Sequence, residues 1–217
     1  MRNKIILAIC SVAIATVFTA CSRTTTVVPS SLHEIPVTTK NIEVAMVKGD
    51  SKYNPQTLQE VEDLGDYIVK GRLLDDAKQK LYCPEPGTVT FGVTVSSFEI
   101  TDVYKGNLKE GDKIPIAERY YTLEEKGEMT RYELGYAPST PNKEYIFFLS
   151  KEDDFNEFLK GFYTPSVKET GRYPVINTKD SNAPNISSMT AEELNLVATE
   201  PTTYQKIYQQ VIDKYMK

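Results

Sequence analysis

Thr88-Val89-Thr90-Phe91-Gly92-Val93-Thr94-Val95-Ser96-Ser97-Phe98-Glu99-Ile100 is the stretch on which the fold turns. Val89, Phe91, Val93 and Val95 alternate with Thr88, Thr90, Gly92 and Thr94, the period of a strand with one buried face. Beyond Ser96 the parity changes, because Phe98 and Ile100 fall on even positions. One extra residue near Ser96-Ser97 would return both sets to a common face. A β-bulge is therefore expected there, the device by which a long strand bends round a small barrel.

Reading outward, Lys105-Gly106 to Glu110-Gly111-Asp112 supplies turn chemistry, and Lys113 to Glu118 a short strand whose Pro115 suits an edge. Tyr67 to Leu74 and the apolar run Glu144 to Ser150 read as further strands, with one or two more between Gly161 and Ile176. The Tyr-rich stretch from Tyr120 to Pro141 reads as a long excursion between strands. Asn54-Pro55 is a cap followed by proline at the first helical position, with Leu58, Val61 and Leu64 on one face and Gly65 as the stop. Thr190-Ala191-Glu192-Glu193 is a capping box that opens a short helix. Pro201 introduces a last helix, where Tyr204, Ile207, Tyr208, Val211, Ile212 and Tyr215 form a core-facing stripe. The expectation is a mainly β (α+β) domain over residues 54–217: a small OB-like antiparallel barrel over about 66–176, an N-terminal flanking helix, and C-terminal helices over about 189–216.

Ahead of this domain, Arg2 and Lys4 precede an apolar run from Ile5 to Val17 that ends at Phe18-Thr19-Ala20-Cys21. Charged, apolar and small-residue regions in that order make a secretory signal over residues 1–20. The run falls short of the roughly 20 apolar residues a membrane span needs. An apolar residue, two small ones and then Cys resembles the lipobox of bacterial lipoproteins. There Cys21 would take a diacylglycerol thioether and palmitate-type acyl chains and become the new N-terminus. Two or three acyl chains hold stably where one holds reversibly. Ordinary secretion or an uncleaved anchor are the alternatives. Residues 21–53 then read as the lipidated Cys plus a flexible tether, rich in Thr, Ser, Val and Lys. Some thirty loose residues span about 30 Å. Ile42 to Val47 alternates in the β period and is read alternatively as a first strand.

The formal charge of −5 becomes −7 when Arg2 and Lys4 leave with the signal. An acidic domain repels phosphate backbones, which argues against nucleic acid and against docking on anionic headgroups. The lipid is left as the membrane contact, placing the protein outside the cytoplasm on the outer face of the cell membrane. With Cys10 in the signal and Cys21 lipidated, Cys83 is expected to have no partner within the mature chain. A partly buried structural thiol, an intermolecular disulfide and a reactive thiol all stay open for it. Export without an internal disulfide points weakly to a Gram-positive source.

Leu58-Gln59-Glu60-Val61 leading into Asp66-Tyr67-Ile68-Val69-Lys70-Gly71-Arg72-Leu73, the long bent strand running into Val103-Tyr104-Lys105-Gly106, Gly111-Asp112-Lys113-Ile114 and Lys143-Glu144-Tyr145-Ile146-Phe147-Phe148-Leu149 carry a resemblance. Over about residues 54–150 the chain resembles uncharacterised surface lipoproteins of Gram-positive-type bacteria and, more remotely, netrin-like modules built on an OB-type barrel. The resemblance implies a barrel and no particular activity.

Signatures of catalysis are sparse. The single histidine, His33, falls in the tether, which removes Ser-His-Asp, Cys-His and His-rich zinc sites from the domain. Gly106 to Gly111 has P-loop spacing but is followed by Asp112 where lysine is required. Glu152-Asp153-Asp154 lacks the alternating acids and central glycine of a calcium loop and reads as a solvated turn. No metal and no cofactor are expected. Tyr120, Tyr121, Tyr132 and Tyr136 stand among charges, and tyrosine offers contact area with a polar tip at small entropic cost. Two readings stand for them: a loop that binds a peptide, protein or glycan, and cross-strand packing with hydroxyls at the surface. The functional expectation is a non-catalytic binding module at the cell surface. The alternative is a small surface hydrolase acting on envelope material through carboxylates or a Ser–Lys pair.

Overall fold

The long strand forms, and it is longer than its hydrophobic alternation suggests. The computed structural model describes residues 32–36, 41–47, 53–152, 156–178, 180 and 183–217. Within these, the strands are β1 (His33–Glu34), β2 (Glu43–Met46), β3 (Tyr67–Leu73), β4 (Lys78–Tyr82), β5 (Phe91–Lys105), β6 (Lys113–Glu118), β7 (Tyr120–Glu125), β8 (Glu128–Glu133), β9 (Glu144–Lys151), β10 (Tyr163–Pro165) and β11 (Arg172–Pro174). The helices are α1 (Leu58–Leu64) and α2 (Pro201–Tyr215). None among the described residues is long and apolar enough to cross a membrane.

Five strands close into a barrel: β3 pairs with β5 and β9, β5 with β6, β6 with β10, and β10 with β9. Four of these joints are antiparallel and one, Tyr163 of β10 beside Ile116 of β6, is parallel. A ring with an odd number of strands cannot alternate direction all the way round, so the expected antiparallel barrel must contain such a joint. Val69, Leu73, Phe98, Ile100, Ile114, Ile116, Phe147 and Leu149 fill the interior.

No bulge occurs at Ser96-Ser97. The β5–β6 register runs unbroken from Thr94 beside Glu118 to Glu99 beside Lys113, and β4 continues in step from Val95 beside Lys78 to Phe91 beside Tyr82. The two parities are instead two buried faces. Phe98 and Ile100 point into the barrel, whereas Val93 and Val95 point the other way and pack with Ala117 and Phe158. The extra residues lie further on, against β3: Ile68 aligns with Lys105 but Val69 with Val103, and Lys70 with Asp102 but Gly71 with Ile100. That end of β5 bends round the barrel wall, and the added twist of a bulge serves it there.

Outside the barrel, the opposite faces of β3 and β9 present Ile68, Ile146 and Phe148, which with Tyr173 make a floor for both helices. The expected stripe of α2 is entirely buried on that floor. Helix α1 starts three residues later than Asn54-Pro55 implies, because Thr57 is its cap, with Oγ1 accepting from the Glu60 amide at 3.3 Å. Thr190 and Glu193 exchange both capping-box bonds, yet only a turn follows, since Asn195 enters the left-handed region at φ 54°. The C-terminal helices are thus one helix.

The excursion between β6 and β9 is largely ordered as a hairpin. β7 and β8 turn at Lys126 (φ 54°) and Gly127 (φ 80°) and form a three-stranded sheet with β2 at one edge. Two pieces of the segment read as tether are therefore strands: β1 on β4, and β2 parallel to β8 as the alternative reading of Ile42 to Val47 anticipated. Residues 1–20, Cys21 and most of the remaining tether lie outside the described residues.

Gly71 permits the closest approach in the barrel wall. A β-carbon there would stand 2.2 Å from the Glu99 carbonyl oxygen and 2.8 Å from the Phe98 ring. Gly71→Ala must force β3 off β5, and a loss of at least about 1–3 kcal/mol is expected, measured as a lower urea midpoint with an unchanged slope.

Candidate binding site

The β4–β5 hairpin projects beyond the barrel, and alternation gives it two covered faces. On one, Gly92 lies under Tyr121, where a β-carbon would sit 2.8 Å from the ring. Gln79 accepts from the Thr122 amide at 3.1 Å, and Thr94 Oγ1 donates to the Tyr120 carbonyl at 2.8 Å. The β7–β8 sheet closes this side.

The other face carries Lys80, Tyr82, Phe91, Val93 and Val95, and the segment between β9 and β10 brings Phe158, Leu159 and Phe162 against it. Tyr82 and Phe91 are stacked at 4.9 Å between centroids, and Phe158 meets their rings edge-on at 5.8 and 4.7 Å. Lys80 Nζ stands 5.2 Å from the centres of both Phe158 and Phe162, a cation–π arrangement within a largely apolar surround. Burial lowers the Lys80 pKa, and the Glu157 carboxylate partly opposes that shift. Phe158 is buried, while Tyr82, Phe91, Leu159 and Phe162 are half-buried. In OB-type barrels ligands sit along the second and third strands and against the loops joining strands one to two and four to five. Counting from β3, those loops are the ones holding β4 and Phe158–Phe162.

The four tyrosines singled out from sequence do not form one surface. Tyr121 is buried and stacks on half-buried Tyr132 at 5.1 Å. Tyr120 is half-buried. Tyr136 is wholly buried, 0% exposed, so no partner can reach it. Cross-strand packing is the reading that fits Tyr121 and Tyr132, and Tyr136 belongs to a buried polar centre.

That centre joins the β8–β9 connection to the barrel. Glu118 Oε1 accepts from Tyr136 Oη at 2.7 Å, from the Ser139 amide at 3.3 Å and from the Ser139 hydroxyl. The Arg172 guanidinium lies 4.7 Å over the Tyr136 ring, with Nη1 3.9 Å from Glu118 Oε1 and donating to the Ala137 carbonyl at 2.6 Å. Burial pushes the Glu118 carboxyl above its usual range, against the pull of Arg172, Ser139 and Tyr136. Glu169, also buried, accepts from the amides of Ala137, Val197, Ala198 and Thr199 at 2.7 to 3.4 Å and so pins the approach to α2. Both carboxylates are 0% exposed and shut away from any substrate.

Elsewhere, a groove of about 520 Å³ between the ends of α1 and α2 is walled by groups already engaged with one another. There Glu62 takes bonds from Lys214 Nζ at 2.8 and 2.9 Å and from Tyr215 Oη at 2.6 Å. Gly106 and Gly111, both at positive φ, bound a plain turn in which Asp112 accepts from the Lys109 amide at 2.8 Å. Glu152 is held by Asn156 and Thr164, while Asp153 and Asp154 lie outside the described residues. His33 sits in β1 rather than in a loose tether, paired with Gln79. Among the described residues no three His, Cys, Asp or Glu side chains are arranged to hold a metal ion. Cys83 is disulfide-bonded, which corrects the expectation of a thiol with no partner in the chain; the two other cysteines, Cys10 and Cys21, both lie outside the described residues.

Comparison with models of protein families, with curated proteins and with solved structures found no match. The aromatic cluster, absent from the sequence reading, had one local signal. Lys80 and Tyr82 mirror Phe91 and Val93 about the Pro84 to Gly87 turn, as facing residues of a hairpin do. Its pairing with Phe158 and Phe162 had none.

Tyr136→Phe removes a donor from the buried Glu118 and is expected to cost about 1–3 kcal/mol. Tyr132→Phe, with its ring stack intact, should change stability by less than about 0.5 kcal/mol. Paired thermal melts check both.

Proposed function

We propose that this protein is an extracytoplasmic lipoprotein, held on the outer face of the cell membrane by lipid on Cys21, whose domain binds a protein, peptide or glycan without catalysis. The observation that carries the binding reading is the half-exposed cluster of Tyr82, Phe91 and Phe162 around Lys80, framed by the two loops that OB-type barrels use for ligands. Aromatic edges beside a desolvated ammonium suit a partner that offers ring faces or sugar hydroxyls. The hydrolase alternative would need reachable acids, whereas the densely bonded Glu118 and Glu169 are both 0% exposed.

The signal pattern ending at Cys21 supports the anchor, and the domain's negative charge leaves lipid as its membrane contact. One sulfur cannot be both thioether and disulfide. A lipidated Cys21 therefore excludes a Cys21–Cys83 bridge in the same molecule, and release of residues 1–20 takes Cys10 away, so the mature lipoprotein and the chain with Cys83 in an internal disulfide are alternative forms. Mass mapping of the mature protein should find diacylglycerol on Cys21, and Cys21→Ser should leave the membrane fraction with its domain folded. A linked Cys21–Cys83 peptide in place of the lipid, or a membrane-bound Cys21→Ser protein, would overturn the anchor.

For the site, cross-linking and pull-down from intact cells with the wild type and with Tyr82→Ser/Phe162→Ser should give a captured partner only with the wild type. Truncating such anchors costs about 2 kcal/mol of binding, roughly thirtyfold. Undiminished capture by a folded variant would remove the cluster from the binding surface, and turnover of envelope glycan would favour the hydrolase.

A further inference from the structure

β2 ends the order β2-β8-β7, so among the described residues one of its edges pairs with no strand. The Val47 amide donates to the Glu133 carbonyl at 2.9 Å, so odd-numbered residues of this segment turn their backbone groups toward β8. Backbone N–H and C=O groups alternate sides along a strand. Those of Ile42, Val44 and Met46 therefore face outward. The same three residues carry exposed apolar side chains, at 40%, 46% and 50%, and Val47 adds a fourth at 42%. Sheet edges in natural proteins are blunted by shortness, charged side chains, proline or a bulge. The strand Glu-Val-Ala-Met is short and carries one charge, Glu43, with no lysine and no proline.

We propose that this edge pairs with the same edge of a second copy of the chain, antiparallel and centred on Val44, to form a two-fold dimer through a continuous six-stranded sheet. A two-fold contact requires the surface to complement itself. In this register Val44 faces Val44 of the partner copy, Ile42 faces Met46 and Met46 faces Ile42. All three pairs lie on one face and engage the outward backbone groups. Glu43 falls opposite Ala45 rather than opposite another carboxylate, so no like charges are directly opposed. Beside this stripe, Arg131 and Glu133 of β8 pair with each other at 2.8 Å. The inference is independent of the aromatic site, which lies on the far face of the β4–β5 hairpin.

The test is sedimentation of the full-length protein in detergent. The wild type should be a dimer that dissociates on dilution. Val44→Lys and Val44→Glu, each placing like charges face to face at a position already half in solvent, should each weaken dimerisation by at least about tenfold, with a melting temperature unchanged at dilutions where the wild type is monomeric. An equimolar mixture of the two variants should recover the dimer, an outcome that misfolding of either could not produce. A monomeric wild type, even one that captured a foreign extended peptide at this edge, would overturn the proposal. So would a Val44→Lys protein that remained dimeric, or a mixture that stayed monomeric.

Discussion

Every backbone amide and carbonyl of a buried strand needs a partner, and in this protein the demand is greatest along the fifteen residues of β5. One edge is divided between β4 and β3, and the other takes β6 for the middle of the strand. The division sets the rest of the architecture. Where β5 pairs with β3 and β6 it is barrel wall. Where it runs on with β4 it is a projecting hairpin with two faces to cover. The β7–β8 sheet covers one face and the segment carrying Phe158 and Phe162 the other, so the candidate site follows from the length of a single strand.

Polar burial is organised round the same need. The β8–β9 connection has no ladder of its own, and Glu118, Arg172 and Glu169 satisfy its amides and carbonyls instead. Burying charges costs several kcal/mol unless they are paired and bonded. Here each replaces a set of backbone partners that would otherwise lie unsatisfied. Glu118 Oε2 and Arg172 Nε have no hydrogen-bond partner, which leaves this centre short of complete satisfaction. Its chemistry is structural, since none of its members reaches the surface.

Elements whose hydrophobic period is local were legible in the sequence. The strands at β3, β6 and β9, the stripe of α2 and the turn at Gly106 to Gly111 follow from alternation, helical spacing and glycine alone. The changed parity after Ser96 was legible as a pattern but not as a cause. A bulge and a change of buried face leave the same trace in the sequence, and only the neighbours on each face distinguish them. The β7–β8 hairpin was obscured because its charged residues conceal the alternation, although Lys126-Gly127 marks the turn.

The chain by itself determined a mainly β fold round one small barrel, because alternating apolar side chains bury surface only in a sheet. The anchor proposed at Cys21 rests on sequence in the same way, on the order of charged, apolar and small residues that ends there. Tertiary structure alone decided which aromatics meet. Tyr136, conspicuous among charges in the sequence, is drawn inside by Glu118 and Arg172. Phe91 and Phe158, 67 positions apart in the sequence, come to 4.7 Å. Such contacts depend on barrel closure, and closure is a property of all five strands together that no local window contains.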